Sequence, residues 1–143
     1  MVIDGQSIIK IIDFEMSVYI PRQVYGDQVS FVPIMSCGKH LYNPPEMYST
    51  LYRHFNPFAK DMWSSGVILY WMLTREHPFI FPSPVDPAFI AICIEYQLPQ
   101  IFESARLGHL SDQVIDLLKL LLDPSPITRF TAEQALRHDW FSN

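Results

Sequence analysis

Cysteine is scarce in this chain. Cys37 and Cys93 are the only two among 143 residues. They lack C-x-x-C spacing, so neither a zinc site nor a disulfide framework is indicated, and reduced thiols are expected. Basic clusters are absent too: 10 Lys and Arg are scattered against 15 Asp and Glu, for a net charge of -5. That excludes a nucleic-acid footprint or a polybasic membrane patch, though an acidic balance by itself names no partner. Long hydrophobic runs are missing as well. The apolar stretch Val67 to Leu73 is far short of the roughly 20 residues of a membrane span. Met1-Val2-Ile3-Asp4 lacks the basic start and apolar centre of a secretory signal. An intracellular location, cytoplasm or nucleus, is therefore expected. His40, His54, His77, His109 and His138 show no metal-ligand spacing and join no Ser/His/Asp or Cys/His arrangement, so surface or structural roles are expected. No internal repeat or low-complexity tract interrupts the chain.

What is present is apolar and helical. Residues 1–143 have the length of one domain, and with 49% hydrophobic residues a substantial core is expected. The fold class expected is mainly α with a small N-terminal β-hairpin, made of Met1 to Ile3, the turn dipeptide Asp4-Gly5, and the isoleucine-rich Ile8 to Ile12. From Glu15 to Tyr42 no period is sustained, and Pro21, Gly26, Pro33 and Gly38 punctuate it. Loops of that length inside compact domains are usually functional. Pro44-Pro45-Glu46 is suited to open a short helix. The pattern predicts further helices over about Ala59 to Leu73, Asp86 to Tyr96, and Asp112 to Leu122 with Ser111 as cap. A last helix opens on the capping box Thr131 to Gln134. The central one is the most informative, because a helix apolar on every side belongs in the middle of a core. It carries an acid near its start, Asp61, expected to be buried, followed by Trp63 and Gly66.

The companions of that helix stand in a recognisable order: Ile11-Ile12-Asp13-Phe14-Glu15, Cys37-Gly38-Lys39-His40-Leu41-Tyr42-Asn43-Pro44-Pro45-Glu46, Leu122-Asp123-Pro124, Arg129-Phe130-Thr131-Ala132 and Leu136-Arg137-His138-Asp139-Trp140-Phe141. In order and approximate spacing they resemble the second half of a eukaryotic serine/threonine protein kinase domain, and the resemblance covers essentially the whole chain. It implies a partial kinase-like fold, the C-terminal lobe only, with an activation segment over about 13–46 and a helical lobe over about 47–143. It implies ATP and Mg²⁺ as cofactors, with Asp13 as the metal- and cofactor-binding carboxylate of an Asp-Phe-Gly-like motif. A carboxylate is a hard oxygen ligand suited to metal that bridges phosphates. It also implies structural roles for Glu46, paired with a buried Arg129, and for Asp61, Trp63 and Gly66. Ser30, Ser36 and Tyr25 become possible phosphosites of the activation segment. The tail from Leu110 to Phe141 looks most like calcium/calmodulin-dependent relatives.

The departures from the family pattern matter equally. Glu15 stands where the family has glycine, Pro44 replaces the alanine of Ala-Pro-Glu, and Lys39 stands where a Gly-Thr pair would place threonine. A kinase further needs a Gly-rich loop, a strand lysine paired with a helix glutamate, a catalytic-loop aspartate and an asparagine for the second metal, and none of these occurs here. The expectation is a family member for ATP-dependent phosphoryl transfer to protein hydroxyls that is truncated and inactive alone, with no catalytic residue assigned beyond the metal-binding Asp13. The alternatives are a noncatalytic, pseudokinase-like binding or regulatory module that docks on a partner protein, and a nonfunctional gene fragment. A partner covering the central helix is expected, since the catalytic loop and preceding helix that shield it in the family are not in the chain.

Overall fold

The computed structural model describes residues 2–3, 6–7, 9–20, 32–33, 38–48 and 54–142. Two short antiparallel pairings come from its first part. β1 (Val2–Ile3) pairs with β2 (Gln6–Ser7), and β3 (Val32–Pro33) pairs with β4 (His54–Phe55). The first pairing does not amount to the expected hairpin. Ile9, Ile11 and Ile12, assigned to its second strand, lie in irregular backbone and are almost wholly exposed. A β-branched run favours strand only where it has a neighbour to pack on, and among the described residues it pairs with none.

The regular elements described after β4 are all helical. α1 (Pro57–Thr74) begins where the Asn56 side chain accepts the N–H groups of Phe58 and Ala59 at 3.0 and 3.2 Å, and where Pro57 fits a first turn that needs no donor. It ends at Arg75, whose left-handed backbone (φ 65°) returns its N–H to the Trp71 carbonyl. Ala59, Trp63, Gly66, Val67 and Tyr70 form the buried stripe at helical spacing. The opposite side corrects the expectation of an all-round buried helix. Ile68, Trp71 and Met72 are exposed along with Asp61 and Ser65, so apolar composition here does not mean burial.

α4 (Asp112–Leu121) packs against α1. The Ser111 hydroxyl caps it at the Val114 N–H, and Val114, Ile115, Leu117, Leu118 and Leu121 turn inward. The approach is close because Gly66 has no side chain: a Cβ there would lie 2.9 Å from Leu121 Cβ and 3.0 Å from Leu122 Cδ2. Between these helices and the connection that follows α1, Trp63, Phe79 and Phe89 stack mutually at centroid distances of 5.6 to 6.4 Å. Burying such rings contributes the largest share of the core's stability, about 1.5–3 kcal/mol for each apolar side chain.

The helix expected over 86–96 is not one α-helix. A single α-turn, α2 (Pro87–Phe89), runs into a π-turn over Ile90–Ile94, which widens the backbone while keeping Phe89, Ile92 and Cys93 inside. α3 (Leu98–Ser104) follows; its short length and Pro99 conceal it from periodicity, and it buries Leu98 and Phe102. α5 (Ala132–Leu136) opens on the full capping box, with Thr131 Oγ accepting the Gln134 N–H at 3.2 Å and Gln134 Oε1 accepting the Thr131 N–H at 2.8 Å. Among the described residues no helix is long and apolar enough to cross a membrane.

Candidate functional site

The site grows from the segment that precedes the helices. Gly38 takes φ 79°, a left-handed conformation that glycine adopts without strain. The chain then winds through two 3-10 turns, His40–Tyr42 and Pro45–Met47. Pro44 and Pro45 suit this course, since the ring fixes φ and the missing N–H leaves nothing to satisfy. Asn43, Pro44 and Glu46 are buried. The segment is stitched to α1 by the Ser64 hydroxyl, 3.0 Å from the Tyr42 carbonyl, and braced by the Tyr48 hydroxyl donating to the His40 carbonyl at 3.0 Å. The His40 ring stacks on Phe81 at 6.2 Å.

Glu46 meets Arg129 across 83 positions of sequence. Arg129 Nη1 donates to Glu46 Oε1 at 2.8 Å and Nη2 to Oε2 at 2.9 Å, a bidentate pair. Nη1 also donates to the Ala59 carbonyl at 2.9 Å, Nε to the Asp123 carbonyl at 2.9 Å, and Nη2 to the Pro124 carbonyl at 3.4 Å. All five guanidinium N–H directions are thereby used. The Trp63 ring lies beneath, its centroid 4.9 Å from Cζ. The side chains are 0% and 4% exposed, and a pair this dry holds only because every donor is matched. One side chain thus ties the segment ending at Glu46 to the start of α1 and to the turn after α4.

Asp13 is brought to none of these groups. It sits in the left-handed region at φ 65°, ψ 67°, ahead of a 3-10 turn over Phe14–Met16, and its side chain is exposed. Aspartate tolerates that conformation better than most residues. Glu15 lies inside the turn and has no positive φ, so the missing glycine carries no left-handed penalty at that position. The donor set does not fit a self-sufficient metal site. Among the described residues no three His, Cys, Asp or Glu side chains gather, and one exposed carboxylate leaves most of the octahedron of Mg²⁺ to water and phosphate.

Asp61 also departs from expectation, since its side chain is exposed, not buried. One flank is still packed closely enough that desolvation raises its pKa above the ordinary carboxylate value, against the pull of the neighbouring Lys60 charge. Among the described residues its carboxylate takes no hydrogen bond; its backbone carbonyl accepts the Ser65 hydroxyl at 2.8 Å. Trp63 is fully buried, and its indole N–H has no acceptor among the described residues. Lys39 is exposed at the start of the His40–Tyr42 turn. Ser30, Ser36 and Tyr25 lie outside the described residues. Burial pushes the Cys93 thiol far up, so it packs as an inert core group.

Three polar anchors escaped the sequence reading. Ser64 sits in a run that reads as packing. Asp86 accepts four backbone N–H groups, from Ile80, Phe81, Ala88 and Phe89 at 2.8–3.4 Å; its place just before a proline was the available signal. His138, for which only a surface or structural role was expected, also reaches Asp116 at 3.1 Å.

Comparison with known proteins places this geometry. The family model for the protein kinase domain matches residues 1–141. Calcium-dependent protein kinase 8 of Oryza sativa subsp. japonica is 36% identical over 138 residues, covering 92% of this chain and 22% of the relative. Serine/threonine-protein kinase CHK1 of Mycosarcoma maydis is 33% identical over 146 residues, covering 99% and 20%. CBL-interacting serine/threonine-protein kinase 9 of Arabidopsis thaliana is 30% identical over 142 residues, covering 99% and 28%. The chain therefore spans 20% to 28% of the length of these curated relatives. With the family model matched along nearly the whole sequence and serine/threonine kinases as its relatives, the chain belongs to the eukaryotic serine/threonine protein kinase family.

Proposed function

We propose that these residues form the helical C-terminal lobe of a serine/threonine protein kinase domain, with an activation segment over about 13–46 and a supporting scaffold over about 47–143. In a complete domain the reaction is transfer of the ATP γ-phosphate to a protein hydroxyl with Mg²⁺. Asp13 would be the carboxylate that holds the metal there, and the metal would supply charge neutralisation at the phosphates, while Glu46, Arg129, Asp61, Trp63 and Gly66 are offered as scaffold residues. Ser30, Ser36 and Tyr25 are offered as phosphate acceptors of the segment, and the cytoplasm or nucleus as its place of action. The observation that carries this reading is the Glu46–Arg129 pair, which anchors the end of the activation segment to the helices at 2.8 and 2.9 Å.

By itself the chain is proposed to be inactive, because phosphoryl transfer depends on positioning and charge neutralisation and among the described residues no three His, Cys, Asp or Glu side chains gather to hold a metal. A purified chain incubated with labelled ATP, Mg²⁺ and a general protein substrate is expected to transfer no phosphate and to show no nucleotide binding by calorimetry. Transfer that Asp13→Ala abolishes would overturn this. A second reading, a noncatalytic binding module, is favoured by the exposed Ile68, Trp71 and Met72 on α1 and by Glu15 and Lys39. Restoration of transfer when the catalytic loop and nucleotide lobe of a relative are joined ahead of Met1 would decide for the kinase reading; no transfer from a folded chimaera would favour the binding module.

A further inference from the structure

α1 carries a second stripe, facing away from the one it buries. Phe58, Asp61, Ser65, Ile68 and Met72, then the C-cap residue Arg75, follow at alternating steps of three and four residues, and all are exposed. Residues at these steps share one side of a helix, and the pattern is that of a seam along which two helices pack. Trp71 is exposed on its flank. The stripe is apolar near its middle and charged towards its ends, with opposite signs. Ile68 stands midway, seven residues from Asp61 and seven from Arg75. Among the described residues neither charge has an ion-pair partner.

We propose that this stripe binds a second copy of the chain, with the two α1 helices antiparallel about a two-fold axis beside Ile68. Ser65, Ile68 and Met72 of the two copies then pack on one another at the centre. Because Ile68 is midway between the charges, the axis brings each Asp61 within reach of the partner's Arg75. The attraction occurs twice, since a two-fold contact repeats every pair. Parallel helices would instead set Asp61 against the partner's Asp61 and Arg75 against the partner's Arg75, so charge selects the antiparallel direction. A charge pattern that is complementary to itself about an apolar centre is what an isologous contact requires, and it favours a second copy over an unrelated apolar helix. From Phe58 to Arg75 the stripe is about 25 Å long. A contact of that length lies at the small end of specific interfaces, about 1,200 Å² or less, so the dimer is weak and reversible. It requires the face of α1 alone and does not depend on phosphoryl transfer.

The test is sedimentation equilibrium of the full chain between about 1 and about 200 µM, a range that brackets weak association. The mean mass is expected to rise from monomer towards dimer. Asp61→Arg and Arg75→Asp, each of which sets like charges against each other at both ends, are expected to weaken association about tenfold or more. Their equimolar mixture is expected to restore it, because each repelling end then meets its opposite. Ile68→Lys, which sets two ammonium groups together at the axis, is expected to stay monomeric with an unchanged melt. An unmodified chain that stays monomeric throughout, while its α1 face still binds an apolar dye, would assign the stripe to a different partner and overturn the proposal. Dimerisation of unchanged strength in Ile68→Lys, or no gain on mixing the two folded charge variants, overturns it too.

Discussion

Replacing Arg129 with methionine, which has similar reach and no charge, removes every bond of the guanidinium at once. Glu46, 4% exposed in its side chain, is left as a buried charge without a partner, a loss of about 3–5 kcal/mol. The carbonyls of Ala59, Asp123 and Pro124 lose their donor as well, at about 1 kcal/mol each where water cannot reach them. The total, above about 5 kcal/mol, is comparable with the whole stability of a small domain. Glu46→Leu strands only one side of the fork and leaves the three carbonyl bonds in place, so it is expected to cost about 2 kcal/mol less. The double variant removes the stranded carboxylate but not the unpaired carbonyls, and is expected to be more stable than Arg129→Met by about 2 kcal/mol. Urea unfolding of the four chains, followed by tryptophan fluorescence, gives the cycle. If Arg129→Met is too weak to fold, Arg129→Lys keeps the charge while losing the planar fork, and about 2 kcal/mol is expected. Equal losses from the two single substitutions, adding without coupling, would refute the reasoning, because they would mean that the pair and the carbonyl bonds do not act through one side chain.

Gly66→Ala is expected to destabilise by about 1–3 kcal/mol in a thermal melt, although the same change in an open helix stabilises, because the new methyl would lie 2.9 Å from Leu121 Cβ. Asp86→Ala should cost about 1–2 kcal/mol in urea and loosen the amides of Ile80 and Phe81 in hydrogen exchange. Burial raises the Asp86 pKa, but four backbone N–H bonds together bring it below the ordinary carboxylate value. The Asp86 contribution is therefore full above about pH 4, is lost as the pH falls through the lowered value, and must be absent from Asp86→Ala at every pH. The exposed side of α1, with Ile68 at 46% and Met72 at 58%, is expected to bind an apolar fluorescent dye; Ile68→Lys with Met72→Lys should remove most of that signal while leaving the melt unchanged.

The parts legible before any coordinates were those whose signal is local or whose partners are chemically unambiguous. Ser111 and the Thr131–Gln134 box mark helix starts because a cap satisfies donors within three residues. Glu46 and Arg129 were legible as a pair through family order, since neither residue alone reveals a partner 83 positions away. Asp86 was missed in part because its four bonds reach both backward and forward around a loop, and no periodicity records that. α3 was missed because seven residues interrupted by a proline carry too few turns to show a stripe. The hairpin was over-read because β-branched composition reports a preference for sheet, not the presence of a strand to pair with.

By itself the sequence determined the family resemblance, the approximate span of α1, and the starts of α4 and α5 with their Ser111 and Thr131–Gln134 caps. Tertiary structure alone decided which side of α1 is covered, that Asp61 faces outward, that Asp13 stands apart from the buried pair, and that His138 answers to two partners. The physical reason is that caps and periodicity are satisfied within a few residues along the chain. Burial, desolvation and bidentate pairing depend on what the rest of the molecule brings alongside.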